Sequence, residues 1–362
     1  MRKNIFDNQV IIADMEEIYL RNLDWRKFDG TSVLITGATG MLASYLVYYF
    51  AYMAEIKKIN VKIIAGVRDI QKAERCFGDL VEKNYFRVRV LDLLREIEFK
   101  EKIDYIIHTA SLASPQHYAV RPIAVAEPNA IGTYYLLKAA ELIGCKGFLF
   151  FSTGDVYGKV EGQAEIFEDT EGYVDTLDIH SCYNESKRMG ETWCRIFGYE
   201  KKVPVKIARI WHTYSPSMDW KNDPRVFSDF IRCVVEKKDI TILSDGSATR
   251  TFCYITDAIA GFMYILLKGN DGEAYNVCNT NECHRIRDIA RVIADLVPEQ
   301  NMKVLYSKRD KKDPYLENNA YKASVPQNKK LKSLGWECNV CCREGFARVL
   351  QAIRQSETEE IK

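Results

Sequence analysis

The sequence lacks a surplus of charge of either sign: 51 Lys and Arg stand against 50 Asp and Glu, a formal net charge of +1. Bulk attraction to nucleic acid or to an anionic membrane is thereby excluded, and an anionic ligand has to be held by a few local groups. Long apolar runs are missing too. No stretch reaches the ~20 residues of a membrane span, and Met1 to Gly30 carries charges every few residues, so a soluble, unexported, cytoplasmic protein is expected. The eleven cysteines are scattered, odd in number and mostly set in apolar segments, as at Cys233 and Cys253. This speaks against a disulfide framework and predicts reduced thiols. The densest group, Cys338-Asn339-Val340-Cys341-Cys342, has no second Cys pair and no nearby His in the sequence to complete four ligands, so no metal is expected. Internal repeats and low-complexity tracts are absent.

What is present is a 47% hydrophobic composition over 362 residues, enough for one large domain and a smaller partner. Short apolar runs at Val33–Thr36, Val61–Ala65, Phe86–Val90, Tyr105–Thr109, Phe148–Ser152 and Val205–Ile210 read as buried strands. Helix-length segments, notably Gly40–Ile56, Asn129–Ile143 and Tyr183–Tyr199, lie between them. That alternation predicts an α/β fold with a Rossmann-type, doubly wound parallel sheet. After Ile210 the alternation weakens: Pro216, Pro224 and the polar stretch between them suggest loops, followed by a helix near Phe227–Glu236. The stretch from Asn301 to Gln327 is polar and charged, and apolar spacing resumes at Leu331–Trp336 and Phe346–Ile353.

The first strand runs into Gly37-Ala38-Thr39-Gly40-Met41-Leu42-Ala43 and then a helix. Gly37 permits a tight turn, Gly40 lets a pyrophosphate approach the backbone, and Ala43 allows close helix–strand packing, while the helix amino terminus faces the phosphates. In this strand–turn–helix setting the motif predicts dinucleotide binding. The second strand ends Gly66-Val67-Arg68-Asp69. Arg68 suits the extra phosphate of NADP, Asp69 suits the ribose of NAD, and a solvated pair in a turn is the plain alternative. The expected organisation is a helical extension (1–30), a dinucleotide-binding domain (31–212, with 251–278 returning to it) and a substrate-binding lobe (213–250 and 279–362).

Tyr183-Asn184-Glu185-Ser186-Lys187 places a phenol and an ammonium on one helix face. Lys187, aided by a cationic nicotinamide, is expected to lower the Tyr183 pKa from about 10 and make it a base. Thirty residues earlier a strand ends Ser152-Thr153-Gly154-Asp155, which brings the Thr153 hydroxyl to the ligand-binding edge of the sheet.

Taken together, Gly37–Ala43, His108–Ser111, Asn129–Thr133, Ser152–Gly158, Tyr183–Lys187 and Thr249–Phe252 resemble the extended short-chain dehydrogenases/reductases, the NAD-dependent epimerase/dehydratase family. Ala113–Tyr118, Cys182–Arg188 and Ala208–Ile210 are most similar to UDP-glucuronate decarboxylases and dTDP-glucose dehydratases. The resemblance implies NAD or NADP held by Gly37, Gly40, Met41, Leu42, Ala43, Arg68, Asp92, Leu93, Ala110, Ser111, Asn129 and Lys187. It implies catalysis by Tyr183, Lys187, Thr153 and Asp155, and a nucleotide-sugar substrate met by Ser114, His212, Arg225 and Arg250. It further implies a homodimer and a place in cell-surface polysaccharide synthesis.

The pattern departs at three places. Dehydratases carry Asp then Glu after the catalytic threonine, where this chain has Gly154 and Asp155: the acid for water loss is missing, and Asp155 is one methylene shorter than the glutamate a decarboxylase carries there, so neither assignment transfers cleanly. His212 stands where relatives have an asparagine, and Ser215 and Ser217 replace Gly and Arg. The implied activity is oxidation of a sugar hydroxyl to a transient ketone, followed by epimerisation or decarboxylation. A net NADPH-dependent reductase forming a CDP-alditol and a non-catalytic nicotinamide sensor are the alternatives.

Overall fold

The structure is a computed structural model that describes residues 5–162, 164–308 and 325–360; residues 309–324 of the polar stretch and Met1–Asn4 lie outside them. Helix α1 (Gln9–Tyr19) precedes β1 (Thr31–Thr36), α2 (Met41–Glu55), β2 (Val61–Val67), α3 (Ile70–Phe77), β3 (Phe86–Val90) and β4 (Tyr105–His108). Then come α4 (Pro115–Val120), α5 (Pro122–Ile143), β5 (Gly147–Thr153), β6 (Glu165–Ile166), α6 (Cys182–Glu200), β7 (Val205–Ile210) and β8 (His212–Tyr214). The chain continues through α7 (Val226–Val235), β9 (Ile240–Ile242), β10 (Thr249–Tyr254), α8 (Ile255–Lys268), β11 (Ala274–Val277), β12 (Cys283–Arg285) and α9 (Ile286–Ala294). Strands β13 (Val304–Tyr306) and β14 (Val325–Pro326) and helices α10 (Lys329–Lys332) and α11 (Cys342–Glu360) complete it.

Seven parallel strands form the main sheet in the order β11-β7-β5-β4-β1-β2-β3. Because helices cover both faces, β1 and β5 are buried at every residue, which is why they read as continuous apolar runs rather than alternating ones. The winding reverses between β1 and β4, which opens a crevice at their carboxyl ends. A smaller sheet, β12-β10-β8, lies beyond it.

Helix α5 begins earlier than the sequence suggests, at Pro122 rather than near Asn129, and runs through Pro128. Proline favours the first turn, where Pro122 sits; Pro128 is carried inside the helix because α5 packs along α6 and the sheet. Helix α2 is buried on all sides from Ala43 to Met53 because the amino-terminal segment covers its outer face. Asp14 of α1 accepts hydrogen bonds from Tyr45 of α2 (2.5 Å) and Tyr254 of β10 (2.6 Å) and pairs with Arg348 of α11 (2.8 Å). Burial raises this carboxyl to about 6 against those three partners. All eleven cysteines are free thiols.

Candidate active site

At the cofactor end the backbone does the shaping. Gly37 has φ +62, and a Cβ there would lie 2.7 Å from the Ala110 Cα, so only glycine lets the ends of β1 and β4 approach this closely. Gly40 is the amino-terminal cap of α2, and Ala43 is buried behind it. The strand ends are held by one polar chain. Thr36 Oγ1 meets His108 Nδ1 (2.8 Å), His108 Nε2 meets Thr133 Oγ1 (3.1 Å), and Thr133 donates to the Asn129 carbonyl (2.6 Å). Asn129 Nδ2 in turn donates to Ser186 of α6 (3.1 Å). Leu93 packs on Gly132 of α5, where a Cβ would stand 3.0 Å from the Leu93 Cβ. Asp92 is exposed and pairs with Arg95 (3.2 Å). Arg68 is exposed at the end of β2, and Asp69 caps α3 by accepting from the Lys72 amide (2.9 Å).

Thr153 ends β5 and accepts from the Asp155 amide (3.2 Å); Tyr183 lies in the first turn of α6 with Lys187 one turn on. The Tyr183 ring stacks on Tyr118 (centroids 4.8 Å, planes 14° apart). Lys187 Nζ donates to the Phe151 carbonyl (2.6 Å) and sits over the Phe150 ring; burial lowers it to about 7, opposed by Glu191. Burial pushes the Tyr183 phenol up, the Asp155 carboxylate adds to this, and Thr153 and Arg225 oppose it. The protein's own groups therefore move the phenol opposite to the lowering expected from the sequence. The ammonium is committed to a backbone carbonyl, and a negative group faces the ring. Burial also raises Asp155, with Arg250 and Thr153 pulling down.

Gly154 has a specific structural reason. A Cβ there would fall 2.6 Å from the Trp211 indole, whose Nε1 donates to Asn276 (3.2 Å). The space an acid would need is filled by a fixed ring.

The opposite end of the crevice is assembled from three distant segments. His212 opens β8, Arg225 caps α7 and Arg250 lies in β10. Burial lowers His212 to about 3, with Arg250 and Arg225 adding to it, so the ring is neutral. Arg225 is oriented by Asp223 (2.5 Å) and reaches the Met41 Sδ (3.6 Å); Ser217 donates to the Met41 carbonyl (3.0 Å), tying this lobe to the glycine-rich turn. Leu42 is half-buried in that turn. Buried polar atoms without a hydrogen-bond partner include Ser111 Oγ, Ser114 Oγ, Asn129 Oδ1, His212 Nδ1 and Thr251 Oγ1. Buried polar groups are otherwise paired, so these atoms, with the Gly37–Gly40 cradle, fit a polar ligand beside a dinucleotide.

The sequence gives neither Tyr118 nor Trp211 a role, although Tyr118 ends the segment Ala113–Tyr118 and Trp211 lies between Ile210 and His212. Thr251 was named only as part of a motif. Their neighbours in space, Tyr183 and Gly154, carry no sequence signal of the contact.

The family model described as "NAD dependent epimerase/dehydratase family" matches residues 33–278. The chain is 29% identical over 329 residues to UDP-glucuronic acid decarboxylase 2 of Arabidopsis thaliana, covering 91% of this chain and 69% of that one. It is 34% identical over 331 residues to UDP-glucuronic acid decarboxylase 1 of Danio rerio, covering 89% and 72%. Among solved structures, an epimerase from Methanothermobacter thermautotrophicus is similar with a TM-score of 0.75 at 22% identity, covering 96% of both chains, a likeness of fold.

Proposed function

Because the chain belongs to the NAD dependent epimerase/dehydratase family, we propose that it is a nucleotide-sugar decarboxylase that acts on a nucleoside-diphosphate uronic acid through a transient ketone. The observation that carries this reading is the convergence of Thr153, Asp155, Tyr183 and Lys187 beside a Gly154 whose side-chain space Trp211 fills. The first four supply oxidation, and the last feature removes the acid for dehydration. The relatives named above are decarboxylases of UDP-glucuronic acid.

Bound NAD(P) would accept the hydride from the sugar carbon and return it to the ketone after decarboxylation, so that the cofactor ends in the oxidation state in which it began. Gly37, Gly40 and the start of α2 hold its diphosphate, Met41, Leu42 and Ala43 complete that turn, and Ala110, Ser111, Asn129 and Lys187 line its inner end. Asp92 and Leu93 flank the adenine, and Arg68 at the exposed end of β2 sets the choice between NAD and NADP.

Tyr183 removes the sugar hydroxyl proton, with Lys187 providing positive charge and Thr153 a hydrogen bond to the same oxygen. A ketone next to the carbon that bears the carboxylate makes that carbon–carbon bond labile. Its electron pair moves into the carbonyl, carbon dioxide leaves, and Asp155, made a weaker acid by burial so that it retains its proton more readily, protonates the resulting carbon. Arg250 and Arg225 bind the diphosphate and nucleotide by charge-assisted forks, while Ser114 and the neutral His212 meet sugar hydroxyls.

The lobes divide as 31–212 with 251–278, against 213–250 with 279–362, and 1–30 is an extension. The chain works as a homodimer through α5 and α6, which expose Ile123, Ile131, Ile196 and Tyr199. No helix of the described residues is long and apolar enough to cross a membrane, and the free thiols suit a reducing cytoplasm.

The test is incubation of purified protein with UDP-glucuronate, with mass spectrometry of the nucleotide product and absorbance of reduced nicotinamide followed together. A UDP-pentose, with carbon dioxide and no net change in reduced cofactor, is expected. A UDP-hexuronate epimer, or stoichiometric consumption of reduced cofactor, would overturn decarboxylation in favour of an epimerase or a net reductase.

A further inference from the structure

Outside this site the fold assembles a ligand set that the sequence spacing hides. Glu282 and His284 flank Cys283 at β12, two residues apart and so on one face of the strand. Cys342 opens α11. His284 Nε2 is 2.7 Å from Glu282 Oε2, which also accepts from the Cys342 amide (3.0 Å). One ligand atom from each of Glu282, His284 and Cys342 lies within 4.8 Å of the others; Cys342 is buried and the other two are half-buried.

We propose that Glu282, His284 and Cys342 bind a divalent transition ion of the zinc class, with a solvent molecule as fourth ligand. A thiolate, an imidazole and a carboxylate form the mixed soft and borderline donor set that selects such an ion over magnesium or calcium. Two anionic ligands neutralise its charge, and Glu282 accepts from the first amide of α11; without an ion, burial and the Glu282 carboxylate hold the Cys342 thiol up. Binding replaces the His284–Glu282 hydrogen bond by two metal bonds and displaces the thiol proton of Cys342 to solvent. The ion then clamps β12 to α11. His284 is the cross-strand partner of Arg250 in β10, so the clamp braces the strand that carries the diphosphate-binding arginine. A helix-capping Glu282 with a hydrogen-bonded His284 and no ion is the competing description.

Cobalt(II) added to the metal-free, full-length protein decides between them. One equivalent should bind with a thiolate-to-cobalt charge-transfer band in the near ultraviolet and visible bands of four-coordinate intensity, and zinc should displace it. Cys342→Ser should abolish the charge-transfer band, His284→Ala should weaken binding at least tenfold, and Cys341→Ser, at the exposed neighbouring thiol, should leave both unchanged. Thermal midpoint and cofactor content establish that each variant is folded; should Cys342→Ser fail to fold, the half-exposed His284→Ala variant is read alone. No band at stoichiometric cobalt, or full-strength binding in folded His284→Ala, would overturn the site. Sugar turnover enters none of these readouts, so the result is independent of the proposed reaction.

Discussion

His108 and His212 both stand at strand ends beside the crevice, both are buried, and burial lowers both to about 3. They differ in their partners. Each ring nitrogen of His108 is engaged, by Thr36 and Thr133, whereas His212 Nδ1 has none. The first is part of the frame, and the second keeps one ring nitrogen unbonded. The same contrast runs through the whole cleft. Its end at the glycine-rich turn is made by backbone, with glycines and a helix terminus, and its opposite end by side chains from three separated segments.

The largest effect is expected between the two ends. Tyr183→Phe removes the proton acceptor and leaves both ends intact, so turnover should fall by roughly 10²–10⁴, with co-purified nicotinamide unchanged; loss of cofactor as well would show that the phenol belongs to the frame. At the backbone end, Gly37→Val forces a side chain into the left-handed region, at a cost of about 1–2 kcal/mol, and against Ala110. The protein should lose its bound nucleotide and melt lower, read by mass spectrometry and calorimetry. At the side-chain end, Arg250→Ala should raise KM for the nucleotide sugar about ten- to a hundredfold, the worth of one or two charged hydrogen bonds, with cofactor content unaffected. If cofactor is lost instead, the two ends are not separable.

The smallest effect concerns acid stability. Both histidines are neutral when folded but take up a proton in the unfolded chain below about pH 6.5, so the unfolded state binds more protons there. The stability they contribute is complete above pH 6.5 and is lost as pH falls toward 3. His212→Asn should flatten that loss in thermal midpoints measured against pH, with little change at neutral pH. His108→Asn should lower the midpoint at every pH, because it leaves Thr36 and Thr133 short of a partner.

Much of this is legible in the sequence alone. The six runs are all strands of the main sheet; β1 and β5 are apolar because both faces are buried, whereas β3 at the sheet edge is largely unburied and carries Arg87 and Arg89. Glycine at 37 and Tyr183 with Lys187 one helical turn on were legible for the same kind of reason: each constraint acts within a few bonds. The start of α5 was not, since a proline inside a helix is tolerated only when packing from outside holds it. Nor was the direction of the Tyr183 shift, which is set by burial between elements and by Asp155 approaching from another one.

The sequence by itself determined the doubly wound sheet, the glycine-rich turn and the placing of Tyr183 and Lys187 on one helix face, because backbone conformation and helical or strand periodicity are set by residues close along the chain. The tertiary structure decided the rest: Trp211 filling the space beside Gly154, His212 between Arg225 and Arg250, the amino-terminal helix bound through Asp14, and Glu282 and His284 brought to Cys342. Those relations join residues far apart in sequence, and only the packing of whole elements against one another brings such groups within reach.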